Sequence, residues 1–199
     1  MKILLVGAGG TLGRAIAAEL GARHQIVGAG RTSGAERVDL TERSSIDAMF
    51  ERLGSIDAVV SAAGKVRFAP LETLDDDAFR VGLDDKLMGQ VNLAQAAVPH
   101  LSGGGSITLV TGVLSEQPIA GGASATMVNR AIEGFVRAAA IELPRGIRIN
   151  AVSPNVFVES LPHYGPWFRG FEAIPVARAA LAFARSVEGR DTGQVYKVW

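Results

Sequence analysis

The chain has no cysteine, which excludes disulfides and thiolate chemistry and leaves only three histidines and scattered carboxylates from which to build a zinc site. No metal is assigned. There is no apolar run of the roughly 18 residues that a membrane-spanning helix needs, so the 48% of residues that are hydrophobic belong to a buried core. Charge of either sign is not in excess. Twenty basic residues balance twenty acidic ones without a basic cluster, which argues against nucleic acid or an anionic membrane as partner and for a small molecule. Internal repeats and low-complexity linkers are also missing, and 199 residues suit one substantial core, so residues 1–199 are read as a single domain. The opening MKILLVGAGG has a short apolar stretch interrupted by glycines. It reads as a first strand rather than a signal peptide, and a cytoplasmic location is expected.

What is present is alternation. Short aliphatic or β-branched runs recur at Lys2 to Val6, Gln25 to Ala29, Arg37 to Val38, Asp57 to Ser61, Ser106 to Thr111, Gly146 to Val152 and Gln194 to Val198. Helical spacing of apolar residues fills the intervals at Leu12 to Leu20, Ser44 to Arg52, Asp75 to His100, Ala123 to Leu143 and Pro175 to Ser186. Continuously apolar strands are those covered on both faces. The pattern predicts an α/β fold with a Rossmann-type doubly wound parallel sheet, whose ligands lie beyond the carboxyl ends of the strands.

Directly after the first strand stands GAGGTLG, with Gly7, Gly10 and Gly13 at three-residue intervals and a helix opening at Leu12. Glycine there allows a tight turn, close approach of backbone N–H groups to a pyrophosphate, and helix packing on the strand. Gly9 lies within the turn and Thr11 adds a hydroxyl at the helix start. An NAD site would place a carboxylate after the second strand, to bond the ribose 2′-hydroxyl. This chain instead has Gly30 followed by Arg31, Thr32 and Ser33, a guanidinium fork with two hydroxyls suited to a 2′-phosphate. NADP(H) is the expected cofactor, with a solvated loop arginine as the plain alternative.

These segments, with VDLTE, SAAG, SITLVTG, AIEGFVRAAAIELPRGIRINAVSP and TGQVYKVW in the same order, resemble the short-chain dehydrogenase/reductase family over nearly the whole chain. The resemblance implies that Asp39 and Leu40 flank the adenine, that Ala62, Ala63 and Gly64 pass close to the ribose, and that Pro154 and Asn155 lie beside the nicotinamide. Gly7, Gly9, Gly10, Thr11, Leu12 and Gly13 would hold the phosphates. The chain is short after the sixth strand, where the family's substrate loop lies, so the pocket is expected to be open, smaller, or completed by another subunit.

The family's catalytic pattern breaks here. Its tyrosine site falls at Ala125 and its lysine site, four residues later, at Asn129. A cation beside a phenol favours the phenolate, and neither residue present can do that chemistry. The serine site is assigned to Thr111 and the asparagine site to Lys86, which gives a relocation hypothesis: Thr111 orients a carbonyl and Lys86 supplies the missing cation. A surface lysine and a buried strand threonine are the alternatives. His163 and Tyr164 are an adjacent acid/base pair after the sixth strand that either acts on substrate or packs a flap. His24 and His100 read as structural or solvated. Two functions follow, an NADP(H)-dependent oxidoreductase acting on a small carbonyl or alcohol, or a non-catalytic NADP(H)-binding sensor or partner subunit. Small residues Ala131, Gly134 and Ala138 on the long helix suggest a homo-oligomer, dimer or tetramer, unless they face their own sheet.

Overall fold

A computed structural model describes residues 1–199. Seven parallel strands form one sheet in the order β3-β2-β1-β4-β5-β6-β7. They are β1 (Lys2–Val6), β2 (Gln25–Gly30), β3 (Glu36–Arg37), β4 (Ile56–Ser61), β5 (Leu101–Val110), β6 (Arg148–Pro154) and β7 (Val195–Val198). The helices are α1 (Thr11–Gly21), α2 (Arg43–Leu53), α3 (Asp76–Arg80), α4 (Gly89–Ala97), α5 (Ala123–Glu142), α6 (Leu161–Tyr164) and α7 (Val176–Glu188). No helix is long and apolar enough to cross a membrane.

Strand periodicity divides the core into two layers. Leu4 and Val6 face one side with Phe50, Leu93, Ile132 and Val136 of α2, α4 and α5. Ile3 and Leu5 face the other with Ile16 and Leu20 of α1 and Phe183 and Val187 of α7. Phe183 is fully buried, and truncating such a side chain to alanine costs about 3 to 5 kcal/mol. The strand order reverses direction between β1 and β4, so a crevice opens beyond Val6 and Ser61 at the sheet's carboxyl edge.

Some expected boundaries move. The helix expected over Asp75 to His100 is three helical pieces: α3, a π-helical stretch Val81–Met88 and α4, followed by a 3₁₀ turn Val98–His100. A π turn carries an extra residue per loop, which apolar spacing alone does not reveal. Asp75 starts α3 by accepting the Ala78 N–H at 2.8 Å. β5 begins at Leu101 rather than Ser106, with an irregular register between Ile56 and Ala58 of its neighbour. β6 begins at Arg148 because Arg145 and Gly146 adopt φ of 55° and 69°, which no strand accommodates.

Candidate functional site

The glycine turn is shaped by contacts that exclude side chains. Gly7 has φ of 85°, and a Cβ there would lie 2.8 Å from the Ala62 carbonyl oxygen; one at Gly13 would lie 2.1 Å from the Gly7 oxygen. Those two glycines serve packing. Gly10 differs, since a Cβ there meets only the Gly7 oxygen at 3.4 Å and otherwise points into open space. Gly10 is also the N-cap of α1 and offers no side-chain cap. The N–H groups of Thr11, Leu12 and Gly13 have no backbone partner. Three free donors at the positive end of a helix, approachable over a bare glycine, fit a pyrophosphate. Gly9 packs under Ser33, whose Oγ would be 2.6 Å from an added Cβ.

From this turn the crevice runs in two directions. One lobe, where the adenosine was expected, is lined by Gly7, Arg31, Thr32, Leu40, Ala63 and Gly64, joined by Lys65 and Asp85. Arg31 does not float free in it. Its Nε lies 3.1 Å from Asp39 Oδ2, and its Nη2 lies 3.2 Å from Asp39 Oδ1 and 3.3 Å from Asp85 Oδ2. Asp39 is held in place by the Thr41 hydroxyl at 2.7 Å and the Thr41 N–H at 3.0 Å. These donors, with the Arg31 charge, keep its carboxyl below the usual range. Its oxygens are therefore already engaged where the adenine amino group was expected to donate.

The other lobe is a cleft of about 290 Å³ that brings together Thr11, Leu12, Ala62, Ala63, Gly64, Lys86, Thr111, Pro154 and Asn155. Gln90, outside the lining, ties two of its walls together. This fully buried amide accepts from Val110 N at 2.9 Å and donates to the Val110 oxygen at 2.9 Å and the Lys86 oxygen at 3.2 Å, fixing the π turn against the end of β5. Lys86 then passes over Gly64, where an added Cβ would lie 2.6 Å from its Cγ. Its Nζ donates to the Thr111 carbonyl at 3.3 Å. No carboxylate pairs with it directly, and burial lowers its pKa to about 8 against the opposing pull of Asp85.

Thr111 is buried at the cleft wall, but its hydroxyl turns to Glu133 Oε1 at 3.3 Å and the Val152 oxygen at 3.4 Å. A hydroxyl has one proton. While that proton serves Glu133, Thr111 presents lone pairs to the cleft. Ala125 and Asn129 also line it. Asn129 is 3% exposed, its Oδ1 has no partner, and its Nδ2 would lie 3.2 Å from a Cβ on Gly112. That acceptor is closed off from solvent behind the cleft wall, and a turn of the side chain would offer it to a ligand hydroxyl. Asn155 is committed internally, donating to the Glu172 oxygen at 2.9 Å and accepting from Val156 N at 2.8 Å.

A flap covers the outer rim. Phe68 packs against Tyr164, Trp167 and Phe168 at centroid distances of 5.9, 5.6 and 6.4 Å. Tyr164 and Phe168 line the cleft, whereas His163 does not. The two members of that sequence pair are thus separated. His24 bonds Glu188 at 2.9 Å and His100 stacks on Phe50 at 5.2 Å, both away from the crevice. Asp85, Gln90 and Phe68 join the site without a motif of their own in the sequence; only the adjacency of Asp85 to Lys86 signals the first.

Comparison with known proteins agrees with this architecture. A family model described as Enoyl-(Acyl carrier protein) reductase matches residues 10–196. An uncharacterised oxidoreductase of Methylorubrum extorquens is 29% identical over 143 residues, 69% of this chain and 58% of that protein. A hydroxynaphthalene reductase of Aspergillus fumigatus is 29% identical over 163 residues, 77% and 60% of the two chains. The chain thus spans about three fifths of the length of these curated relatives. The crystal structure of the protein lin1944 from Listeria innocua is 48% identical with a TM-score of 0.99, covering 100% of both chains. A small-chain dehydrogenase solved in complex with NADPH shares the fold, with a TM-score of 0.89 at 24% identity over 100% of this chain and 96% of that one.

Proposed function

This chain belongs to the short-chain dehydrogenase/reductase family of NAD(P)-dependent oxidoreductases, and from that premise we propose that it interconverts a small carbonyl compound and its alcohol with NADP(H), at an altered catalytic site. The observation that carries the reading is the set of three unpaired N–H groups at the start of α1, where Thr11 and Leu12 line the cleft that also holds Lys86 and Thr111. The dinucleotide supplies the hydride when bound. The N–H groups of Thr11, Leu12 and Gly13 hold its phosphates over the bare Gly10, and Gly7 and Gly9 shape the turn that presents them. Arg31, Thr32 and Ser33 take the 2′-phosphate; Asp39 and Leu40 border the adenine. Ala62, Ala63 and Gly64 leave room for the ribose, and Pro154 and Asn155 close the nicotinamide side.

Lys86 replaces the family's cation from another element. With a pKa of about 8 it carries a proton at neutral pH, so it stabilises a developing alkoxide and holds the proton that the reduced oxygen needs. Thr111, with its own proton directed at Glu133, accepts from the alcohol; toward a carbonyl it must rotate and release Glu133. Asn129, once its side chain turns toward the cleft, accepts from a ribose hydroxyl through the Oδ1 that is unpaired and buried here. The aromatic rim around Phe68 favours apolar substrates.

Exposure of Ala131, Gly134 and Ala138 removes the alternative that they pack on their own sheet, and it supports association of two copies through α5. The test of function is titration with NADPH followed by a screen of small carbonyl compounds with NADPH oxidation as readout. Binding of NADPH and turnover that falls as pH rises through about 8 are expected. Failure to bind either dinucleotide overturns the proposal.

A further inference from the structure

The Arg31 fork is held by two carboxylates of unequal character. Asp39 belongs to the loop after β3 and lines the outer depression beside the adenosine lobe. Asp85 comes from the π-helical stretch, 54 residues away from Arg31 in sequence. Its side chain is only 13% exposed, against 33% for Asp39 and 47% for Arg31. Its other oxygen accepts the Lys65 N–H at 2.8 Å. Each carboxylate is thereby fixed by donors of its own, and the exposed arginine is the member free to move.

We propose that Asp85 is a specificity-determining residue for the dinucleotide, holding the Arg31 fork where a 2′-phosphate would otherwise hold it and so restraining the preference for NADPH over NADH. This rests on the assignment of Arg31 to the 2′-phosphate made above. A phosphate entering the lobe has to draw the Nη2 group away from Asp85 and share Arg31 with Asp39. The field around it adds to that cost. The outer depression beside Arg31 is lined by three cations and five carboxylates, so a dianion enters against net negative charge. A 2′-hydroxyl meets no such competition, because it is uncharged and can donate to a carboxylate. Asp85 therefore weakens NADPH binding and leaves NADH binding nearly unchanged.

Asp85→Asn is the informative variant, since its amide oxygen still accepts the Lys65 N–H while the charge facing Arg31 is removed. Dissociation constants for NADPH and NADH are measured by calorimetry for the parent, Asp85→Asn and Arg31→Ala. Asp85→Asn is expected to tighten NADPH about fivefold to tenfold, the size of a coupling between neighbouring charges, and to leave NADH within about twofold. The ratio of the two constants is the deciding readout, because a merely loosened fold weakens both together. An unchanged or reduced NADPH preference in Asp85→Asn, with Arg31→Ala losing that preference, overturns the role of Asp85 and leaves the Arg31 assignment intact. An Arg31→Ala variant that keeps the parent's NADPH preference overturns that assignment, and the role of Asp85 falls with it.

Discussion

The two lobes of the crevice, proposed for the adenosine and the nicotinamide of the cofactor, solve opposite problems. At the adenosine end, charges are numerous and mutually satisfied, with Arg31 between Asp39 and Asp85. At the nicotinamide end, one lysine stands among apolar and aromatic side chains with a single carbonyl as its partner. The first arrangement makes a ligand compete for groups already paired, and on the proposed assignment it sets selectivity. The second leaves a cation with one carbonyl partner and, behind the wall, an amide oxygen with none, and on the proposed assignment it serves chemistry. The glycine turn between them is common to both and acts through backbone alone.

The largest effect should come from breaking that shared turn. Gly10→Val places a branched side chain in the space over the free N–H groups without striking the fold, because only the Gly7 oxygen lies within 4 Å of the added Cβ. Both dinucleotides should lose on the order of a hundredfold or more in affinity, as expected for two or more charge-assisted hydrogen bonds, while thermal unfolding stays near that of the parent. Gly13→Val is the contrasting case. Its Cβ would lie 2.1 Å from the Gly7 oxygen, so it should unfold the turn and lower the melting temperature as well. Calorimetric titration beside thermal melts separates the two.

Next in size is Lys86→Met, which keeps much of the stem over Gly64 and deletes the charge. Turnover should fall about a hundredfold to a thousandfold, the range for loss of one preorganised electrostatic stabiliser, and NADPH should bind less tightly. Steady-state rates as active as the parent's would remove Lys86 from the site. Thr111→Val should cost less, about tenfold in rate with cofactor affinity held. The hydroxyl already has two internal acceptors in Glu133 and Val152, so only part of its bonding is available to substrate.

Legibility in the sequence followed the same division. Strand alternation and GAGGTLG are local patterns, so the parallel sheet and the glycine turn before α1 could be read directly; β1 has the expected bounds, Lys2–Val6. The Ala125 and Asn129 replacements were visible because they stand at a fixed spacing on one helix. What could not be read depended on distant pairing or side-chain direction. Arg31 and Asp85 meet across 54 residues, and the direction of the Thr111 hydroxyl depends on Glu133 from α5. The π turn left the apolar periodicity of Asp75 to His100 intact while changing which side chains face the cleft. The turn at Arg145 was hidden because its positive φ is carried by a residue other than glycine.

Association should depend on neither lobe. Gly134 is exposed on α5, and a Cβ there meets nothing within 4 Å, so Gly134→Arg leaves the protomer intact while placing a long charged side chain on the proposed contact. Sedimentation at micromolar concentration should find an oligomer for the parent and monomer for the variant. A monomeric parent would remove the homo-oligomer.

The smallest expected effect tests the isolation of Lys86 through stability. Its pKa is about 8 in the folded protein, below its ordinary value of 10.5, so the folded state binds this proton less well than the unfolded chain does. Between those two values the unfolded chain keeps the proton that the folded protein has released, and stability rises with pH across that window. Below about 8 the folded protein must hold the buried charge, and the full penalty is present. Lys86→Met lacks the charge at every pH. Its melting temperature should therefore equal or exceed the parent's at pH 7, and the difference should shrink as pH rises from about 8 toward 10.5. Differential scanning calorimetry of both proteins in matched buffers removes the contribution of the other titrating groups, which the pair share. A gap that stays constant over that range would mean that the ammonium is well solvated, and the contrast between a paired and an isolated lobe would then be lost.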